Sequence, residues 1–553
     1  MRSQARQHRS PAQSAVGHVE HRVTPRRFDG ISHGSSIVRR LAFLALLCAS
    51  PLQSQQLGTI QFPTSASGPT QAAFIRGVLF LHSFEYESAA TAFREAQRLS
   101  PGFAMAFWGE AMTYTHPVWN EQDVGKAREV LSRLAPTAAE RRAKAGTARE
   151  QMFMNAIEQL YGTGSKPKRD TLYARSMEQL AAAHPDDDEA QAFYSLALLG
   201  LNQGVRDVPT YLRAGAIAEG VLKRNEDHPG GAHYTIHAYD DPMNAPRGLH
   251  AARQYSKIAP AAPHAQHMTT HIFLAMGMWD DVVSQNIVAA GHDHGQWQAG
   301  HYTAWLGYAY AQQGRMDEAR KHLQTVRANY RRAPRRGEEP SLLSMRAHYI
   351  VNSRRWTDPV LQWTIDAPNA GPVARSMDVF VRGYAALESG DRPRAQRLLA
   401  ELAKLRGQPA QPDAFSQNDV VTRILELELR GLILLWDRKE DEGLALLREA
   451  TRLEDAIPLE FGPPDVVKPS HELLGEALFF LKEHEESQRE FLRALDLAPG
   501  RARSLLGLGR AAFARSDTAV AKKALLDLMR IWHSADKDLP DLPEVAHMLG
   551  RLE

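Results

Sequence analysis

Cysteine is almost absent from this sequence, in which Cys48 is the only one among 553 residues. A single cysteine cannot form an intramolecular disulfide or a zinc site built from several thiolates. Its position near the N-terminus also excludes a catalytic cysteine in the folded body. Any redox chemistry of the chain therefore needs another group.

The sequence also lacks an excess of charge of either sign. Its 66 Lys and Arg residues are balanced by 64 Asp and Glu residues, which gives a formal net charge of +2. No nucleic acid partner is therefore expected, and the basic stretch 331–336 is interpreted as a solvated loop. Phosphate-binding glycine loops, a dinucleotide fingerprint, a nucleophile elbow and the H-E-x-x-H zinc-protease signature do not occur in a convincing context. Nucleotide-dependent chemistry is not predicted.

The apolar run near the N-terminus, residues 41–49, is too short to span a bilayer. It follows two arginines and precedes small and polar residues, which is the order of a secretory signal peptide. We predict a signal peptide over 38–54, export to the periplasm or the extracellular space, and no transmembrane span. Leu47 before Cys48 argues against a lipoprotein. Residues 1–40 show little apolar periodicity and are predicted to be disordered or to lie upstream of the true start.

A repeat of 34 residues organises most of the chain. Small and aromatic residues recur where two antiparallel helices must approach closely, and a proline closes the second helix. The pattern is carried by Gly77, Phe80, Tyr86, Ala89, Phe93, Ala96 and Pro101, and it returns in residues 306–319, in residues 474–499 and from Leu508. This pattern resembles the tetratricopeptide repeat. The resemblance implies an all-α superhelical solenoid of tetratricopeptide-type helix pairs, with one array over 68–330 and a second over 341–550.

Histidine is concentrated in one part of the first array. Residues 228–301 hold ten of the 23 histidines, namely His228, His233, His237, His250, His264, His267, His271, His292, His294 and His301. They include two H-x-x-x-H pairs, His233 with His237 and His267 with His271, which are displaced by one full repeat of 34 residues. An i, i+4 pair presents both rings on one helix face.

The spacing of these histidines predicts a metal site. Packed helices lie about 8–10 Å apart, so imidazoles on neighbouring helices can share an ion. The predicted ligands are His233, His237, His267, His271 and His301. Imidazole ligation without thiolate suits zinc, copper or iron and leaves the three open. Asp240, one turn beyond His237, is predicted to act as a ligand, to orient an imidazole or to assist the chemistry.

Other residues are predicted to line the concave groove, because the first helix of each repeat faces it. These residues are His82, Trp108, His116, His264, Trp305 and Tyr308. Glu472 and Glu476 stand at the same places of their repeat as His267 and His271, and they are candidates for a catalytic acid and base.

The phrases at 104–109, 228–234, 263–271 and 468–472 resemble a group of exported bacterial tetratricopeptide proteins. That resemblance implies fold and export, and it carries no reaction. Two functions of different class follow from the sequence. In the first, the solenoid binds a peptide, a protein or a small ligand in its histidine-rich groove. In the second, the groove histidines hold zinc, copper or iron in an enzyme, and a carboxylate assists hydrolysis or oxidation. The substrate, the partner and the oligomeric state stay open.

Overall fold

The computed structural model describes residues 56–202, 206–291, 297–335, 337–367, 369–406, 418–458 and 461–552. The predicted N-terminal extension (1–40), the predicted signal peptide (38–54), His292 and His294 lie outside these residues.

The described part of the chain is built from 25 α-helices and one two-stranded ribbon. The helices are α1 (Gly68–His82), α2 (Tyr86–Leu99), α3 (Ala104–Met112), α4 (Val124–Leu134), α5 (Ala138–Ala143), α6 (Ala148–Leu160), α7 (Lys166–Ala183), α8 (Asp188–Leu199), α9 (Val208–Arg224), α10 (Pro229–Ala238), α11 (Ala245–Ile258), α12 (Pro263–Ala275), α13 (Trp279–Gly291), α14 (His301–Gln312), α15 (Met316–Arg332), α16 (Glu339–Ser353), α17 (Pro372–Glu388), α18 (Arg392–Arg406), α19 (Asn418–Trp436), α20 (Glu440–Asp455), α21 (Ser470–Phe480), α22 (His484–Leu497), α23 (Ala502–Ala514), α24 (Thr518–Ile531) and α25 (Leu542–Gly550). The strands are β1 (Thr115–His116) and β2 (Glu121–Gln122), which pair antiparallel.

Successive helices pack as hairpins joined by short turns, and neighbouring hairpins stack on one another. The predicted all-α superhelical solenoid of helix pairs is therefore confirmed. Several of the turns need a residue with positive φ, and Gly277, Gly314 and Gly390 supply it at 68°, 71° and 81°. The loop between α15 and α16 coincides with the gap between the two predicted arrays, 68–330 and 341–550. The division of the chain into two arrays stays a prediction.

Small residues let the helices of a repeat approach closely, as the sequence pattern requires. Near the C-terminus the ring of Phe491 fills the space beside two glycines, Gly475 and Gly507. A methyl group added at Gly507 would lie 2.2 Å from the Phe491 ring. The same arrangement recurs near the N-terminus around Phe93.

Replacing Gly507 by alanine is therefore expected to destabilise the C-terminal repeats by about 1–3 kcal/mol, because the buried Phe491 ring must shift. Chemical denaturation followed by circular dichroism measures this. Gly550→Ala is the matched control, because nothing lies near a methyl group added there. Equal stability of the two variants would show that the helix contact at Gly507 is looser than described.

The C-terminal repeats return to the middle of the chain and pack against it. The indole Nε1 of Trp279 donates to the carbonyl of Gly500 at 2.9 Å, and the indole of Trp532 donates to the carbonyl of Gln312 at 3.1 Å. This return brings the segment after α20 onto the histidine-rich region, where Phe461 packs against His271. No helix among the described residues has the length and apolar character needed to cross a membrane.

Candidate metal centre

Three histidines from α10 and α12 meet in a first cluster, called here triad A: His233, His237 and His264. His228 begins α10 because its Nδ1 accepts the amide N–H of Gly231 at 3.0 Å. His233 and His237 are four residues apart on α10, and the centroids of their rings lie 4.8 Å apart. The Nε2 atoms of His233 and His264 lie 3.2 Å apart.

The surroundings of triad A fix its rings. The Nδ1–H of His233 donates to the backbone carbonyl of His82 at 2.6 Å, so its Nε2 carries the lone pair. Phe84 packs against all three imidazoles, with its centroid 4.3 Å from that of His233. The buried Nε2 of His237 has no hydrogen-bond partner. A buried polar atom without a partner is costly, so this nitrogen points to a ligand.

Phe84 has an unusual backbone conformation. Its φ is 54°, in the left-handed region, at the turn between α1 and α2. Gly277 occupies that region at the turn between α12 and α13. A bulky aromatic residue is disfavoured there. The contacts of the Phe84 ring with triad A give this departure a physical reason.

A second cluster, triad B, consists of His267, His271 and His301 on α12 and at the start of α14. The Nε2 atoms of His267 and His271 also lie 3.2 Å apart. The Nδ1–H of His267 donates to Asn286 Oδ1 at 2.7 Å, and the Nδ1–H of His271 donates to Asp240 Oδ2 at 2.5 Å. Asp240 therefore orients an imidazole, which is one of the roles predicted for it.

The two triads have the spacing that a metal ion requires. Within each triad the three potential ligand atoms lie within 4.8 Å of one another. Metal–nitrogen bonds of about 2.0–2.1 Å at a tetrahedral angle hold two nitrogens about 3.3–3.4 Å apart, close to the observed Nε2 separations. The triads adjoin, because α12 supplies rings to both and the centroids of His237 and His271 are 5.9 Å apart.

The electrostatics of the region disfavour the charged form of four of these imidazoles. Burial first, and then repulsion by neighbouring imidazoles, lowers the pKa of His233, His237, His264 and His267 well below the ordinary value. Neutral imidazole is the form that binds a metal ion.

A cavity of about 660 Å³ opens above the two triads. Four of the six histidines reach it, namely His237, His264, His271 and His301, whereas His233 and His267 lie beneath them. Its other walls are mainly apolar and include Trp119, Met268 and Phe461. This volume is typical of sites for small molecules.

Three of the residues predicted to line the groove, Trp108, Trp305 and Tyr308, are buried instead. Trp108 is fully buried, because Phe62 and Phe153 pack against its ring. Trp305 is buried as well, with its ring centroid 4.4 Å from that of His271, so it supports triad B. Tyr308 is buried and its hydroxyl accepts from Arg501, away from any ligand surface.

His82 and His116 also lie elsewhere than predicted. His82 is fully buried, its Nε2 donates to Glu189 at 2.9 Å, and its Nδ1 accepts from the hydroxyl of Tyr234 at 2.8 Å. Burial alone would raise the pKa of Glu189, but the adjacent His82 and His228 lower it to about 2. This network fixes the segment whose carbonyl holds His233. His116 stacks on Tyr86 at 4.1 Å, beside the cavity and outside its lining.

The two predicted catalytic glutamates are engaged in ion pairs. Glu472 is fully buried and accepts from Lys468, Arg501 and Ser504 at 2.6–3.0 Å. Burial opposes its ionisation, yet these cations hold the pKa of Glu472 far below its ordinary value. Glu476 accepts from the same Lys468 at 2.7 Å. Glu472 therefore acts as a structural anion instead of an acid or base.

Sequence reasoning missed part of the site. His264 was assigned to the groove, whereas the structure makes it the third member of triad A. Asn286, Trp119 and Phe461 carried no sequence signal, because each comes from a different turn or helix. A positive-φ turn position occupied by phenylalanine is the one local feature that could have pointed to the region.

Residues 473–532 match the family model described as tetratricopeptide repeat. The fold is a tetratricopeptide-repeat solenoid. Among solved structures, a human IFIT1 dimer with PPP-AAAA is similar at 12% identity, covering 83% of this chain and 90% of that chain, with a TM-score of 0.37. The yeast Tom70 structure is similar at 11% identity, covering 87% and 95%, with a TM-score of 0.26. The APC/C hetero-tetramer Cut9–Hcn1 is similar at 12%, covering 88% and 97%, with a TM-score of 0.28. No curated protein matches the chain.

Proposed function

We propose that this protein is a copper-dependent oxidoreductase in which triads A and B each hold one ion, and that a small substrate binds in the cavity above them. A tetratricopeptide-repeat solenoid is consistent with binding a protein or a ligand. The cavity volume favours a small molecule over a peptide.

The observation that carries the proposal is the contact between His267 and His271. Asn286 Oδ1 and Asp240 Oδ2 lie against the two Nδ1 atoms, and the two Nε2 atoms face each other at 3.2 Å. Two Nε2 lone pairs at that distance need a proton or a metal ion between them. A metal ion bound by both nitrogens resolves this, and outer carboxylate or carbonyl partners are the usual supports of such imidazoles.

Copper suits the six ligands better than zinc or iron does. All six are neutral nitrogens, with no carboxylate or thiolate to compensate the charge of two dications. Copper binds nitrogen ligands most tightly among the divalent ions, and as Cu(I) it brings only one positive charge. A bound copper pair would supply two-electron chemistry with dioxygen as the oxidant, in which two electrons and two protons from each of two substrate molecules would reduce one dioxygen to two water molecules.

The residues of the chain then have distinct tasks. Asp240, Asn286 and the carbonyl of His82 hold the rings in position. Phe84 and Trp305 pack against the triads and exclude water from the far side of the rings. Water exclusion strengthens the electrostatic interactions in such a site.

Metal analysis tests the proposal. The chain from residue 56, carrying a histidine-free tag, is incubated with copper, zinc and iron together, dialysed, and measured by inductively coupled plasma mass spectrometry. Two copper ions per chain are expected. A chain that stays free of metal, or that takes up only one ion, would overturn the proposal.

The carboxylate of Asp240 provides a more selective prediction. Asp240→Asn keeps the shape of the side chain and removes the charge that supports the Nδ1–H of His271. Loss of such a partner is expected to weaken the metal affinity of triad B about 10- to 100-fold. Competition with a chromogenic copper chelator measures this. Asp188→Asn, at the start of α8 where the carboxylate pairs with Arg224, is the control and should leave both affinities unchanged.

We also propose that the protein is exported, on the order of basic, apolar and small residues over 38–54. N-terminal sequencing of the protein recovered from outside the cytoplasm tests this. A chain that begins before residue 38 in that fraction would contradict it.

A further inference from the structure

Two aromatic side chains stand at the cavity, one beside each triad. The ring of Trp119 lies edge-on to His264, with centroids 5.9 Å apart. The ring of Phe461 lies 5.1 Å from that of His271. Both rings are partly exposed and line the cavity. Aromatic walls on two sides favour a flat aromatic ligand, through offset or edge-on contacts.

The charge of the site points to the group that such a ligand presents to the metals. The six imidazoles bring no negative charge to the cavity, and Asp240 lies behind His271 on the side away from Nε2. The side chains of Arg335 and Glu338 also line the cavity, and their charges are opposite. Metal ions in the triads therefore place positive charge at the cavity, which favours an anionic oxygen ligand.

We propose that the cavity binds phenols, with the aromatic ring between Trp119 and Phe461 and the ionised oxygen at the metal pair. This inference rests on the proposed function, since the oxygen needs a bound metal. The volume of about 660 Å³ exceeds a single ring, so the preferred ligand carries a substituent. The apolar residues Pro263, Met268 and Ala299 on the walls accommodate an apolar substituent.

Binding measurements on the copper-loaded full chain under anaerobic conditions test this inference. The probe is 4-nitrocatechol, followed by isothermal titration calorimetry and by its visible absorption. A 1:1 complex is expected, with a changed absorption because the oxygen binds the metal. Cyclohexane-1,2-diol, which lacks the aromatic ring and the acidic phenolic hydroxyls, should bind at least tenfold more weakly. Benzoate tests whether any aromatic anion suffices, and binding equal to that of 4-nitrocatechol would overturn the assignment to phenols.

Two variants test the aromatic walls. Trp119→Leu and Phe461→Leu should each raise the Kd for 4-nitrocatechol at least tenfold while leaving two copper ions bound. Trp436→Leu is the matched control, because this tryptophan is half exposed on α19 and does not line the cavity. Unchanged affinity in both wall variants would overturn the inference.

The outcomes separate the two proposals. A chain that holds two copper ions and does not bind 4-nitrocatechol overturns this inference and leaves the proposed function standing. A chain that binds no copper overturns the proposed function, and this inference with it.

Discussion

Removing His237 and His264 together is expected to reduce the copper content from two ions per chain to one. The two residues belong to triad A, and a single imidazole does not retain an ion through dialysis. His271→Ala/His301→Ala should likewise remove one ion, from triad B. Because α12 carries rings of both triads, the two variants distinguish a pair of separate sites from one shared ion. Mass spectrometry after dialysis measures the content, and circular dichroism checks that the helices remain.

The control for this experiment is His250→Ala. His250 belongs to the same histidine-rich stretch but is exposed on α11, so two ions should remain. If either double variant loses both ions, the two triads hold their metals cooperatively or share one ion, and the description of two separate sites is wrong.

Replacing Glu472 by alanine is expected to lower the free energy of unfolding by about 3–5 kcal/mol, because it leaves buried cations without their partner. Arg501 is fully buried and donates to both carboxylate oxygens of Glu472, at 2.7 and 3.0 Å. The same guanidinium donates to Tyr308 of α14, so this ion pair joins α21 to the distant middle of the chain. Denaturation by urea, followed by circular dichroism, measures the loss.

Glu485→Ala is the matched control for that variant. Glu485 pairs with Arg489 at 3.0 Å on the exposed face of α22, where an ion pair contributes little. Stability should therefore change only slightly. If Glu472→Ala kept full stability and abolished turnover of a phenol, the catalytic role predicted from the sequence would be right and the structural role described here would be wrong.

The histidine pairs show how much of the candidate site the 34-residue spacing predicts. A displacement of 34 residues placed His233 and His237 in register with His267 and His271, and the structure brings all four rings together. The repeat spacing did not place His264 in triad A, because a position in a helix predicts only the face on which a side chain lies and not which neighbouring helix it contacts. Its ring reaches back to α10, whereas the ring of His271 is directed toward α14.

The position of a residue in its repeat did not predict exposure to a ligand where other segments cover the concave face. Trp108 was predicted to face a ligand, yet Phe62 from the segment before α1 packs against it. Glu472 occupies the same place of its repeat as His267. Its role in an ion pair follows from its contact with Arg501, which is 29 residues away in the sequence. Contacts between segments distant in sequence have no signature in a 34-residue period.

Anomalous diffraction at the copper edge, from crystals grown with copper, would locate both ions. We expect two peaks, one about 2.0–2.1 Å from Nε2 of His233 and the other at the same distance from Nε2 of His267 and His271. A single peak between the triads, peaks elsewhere on the surface, or none at all would contradict this expectation.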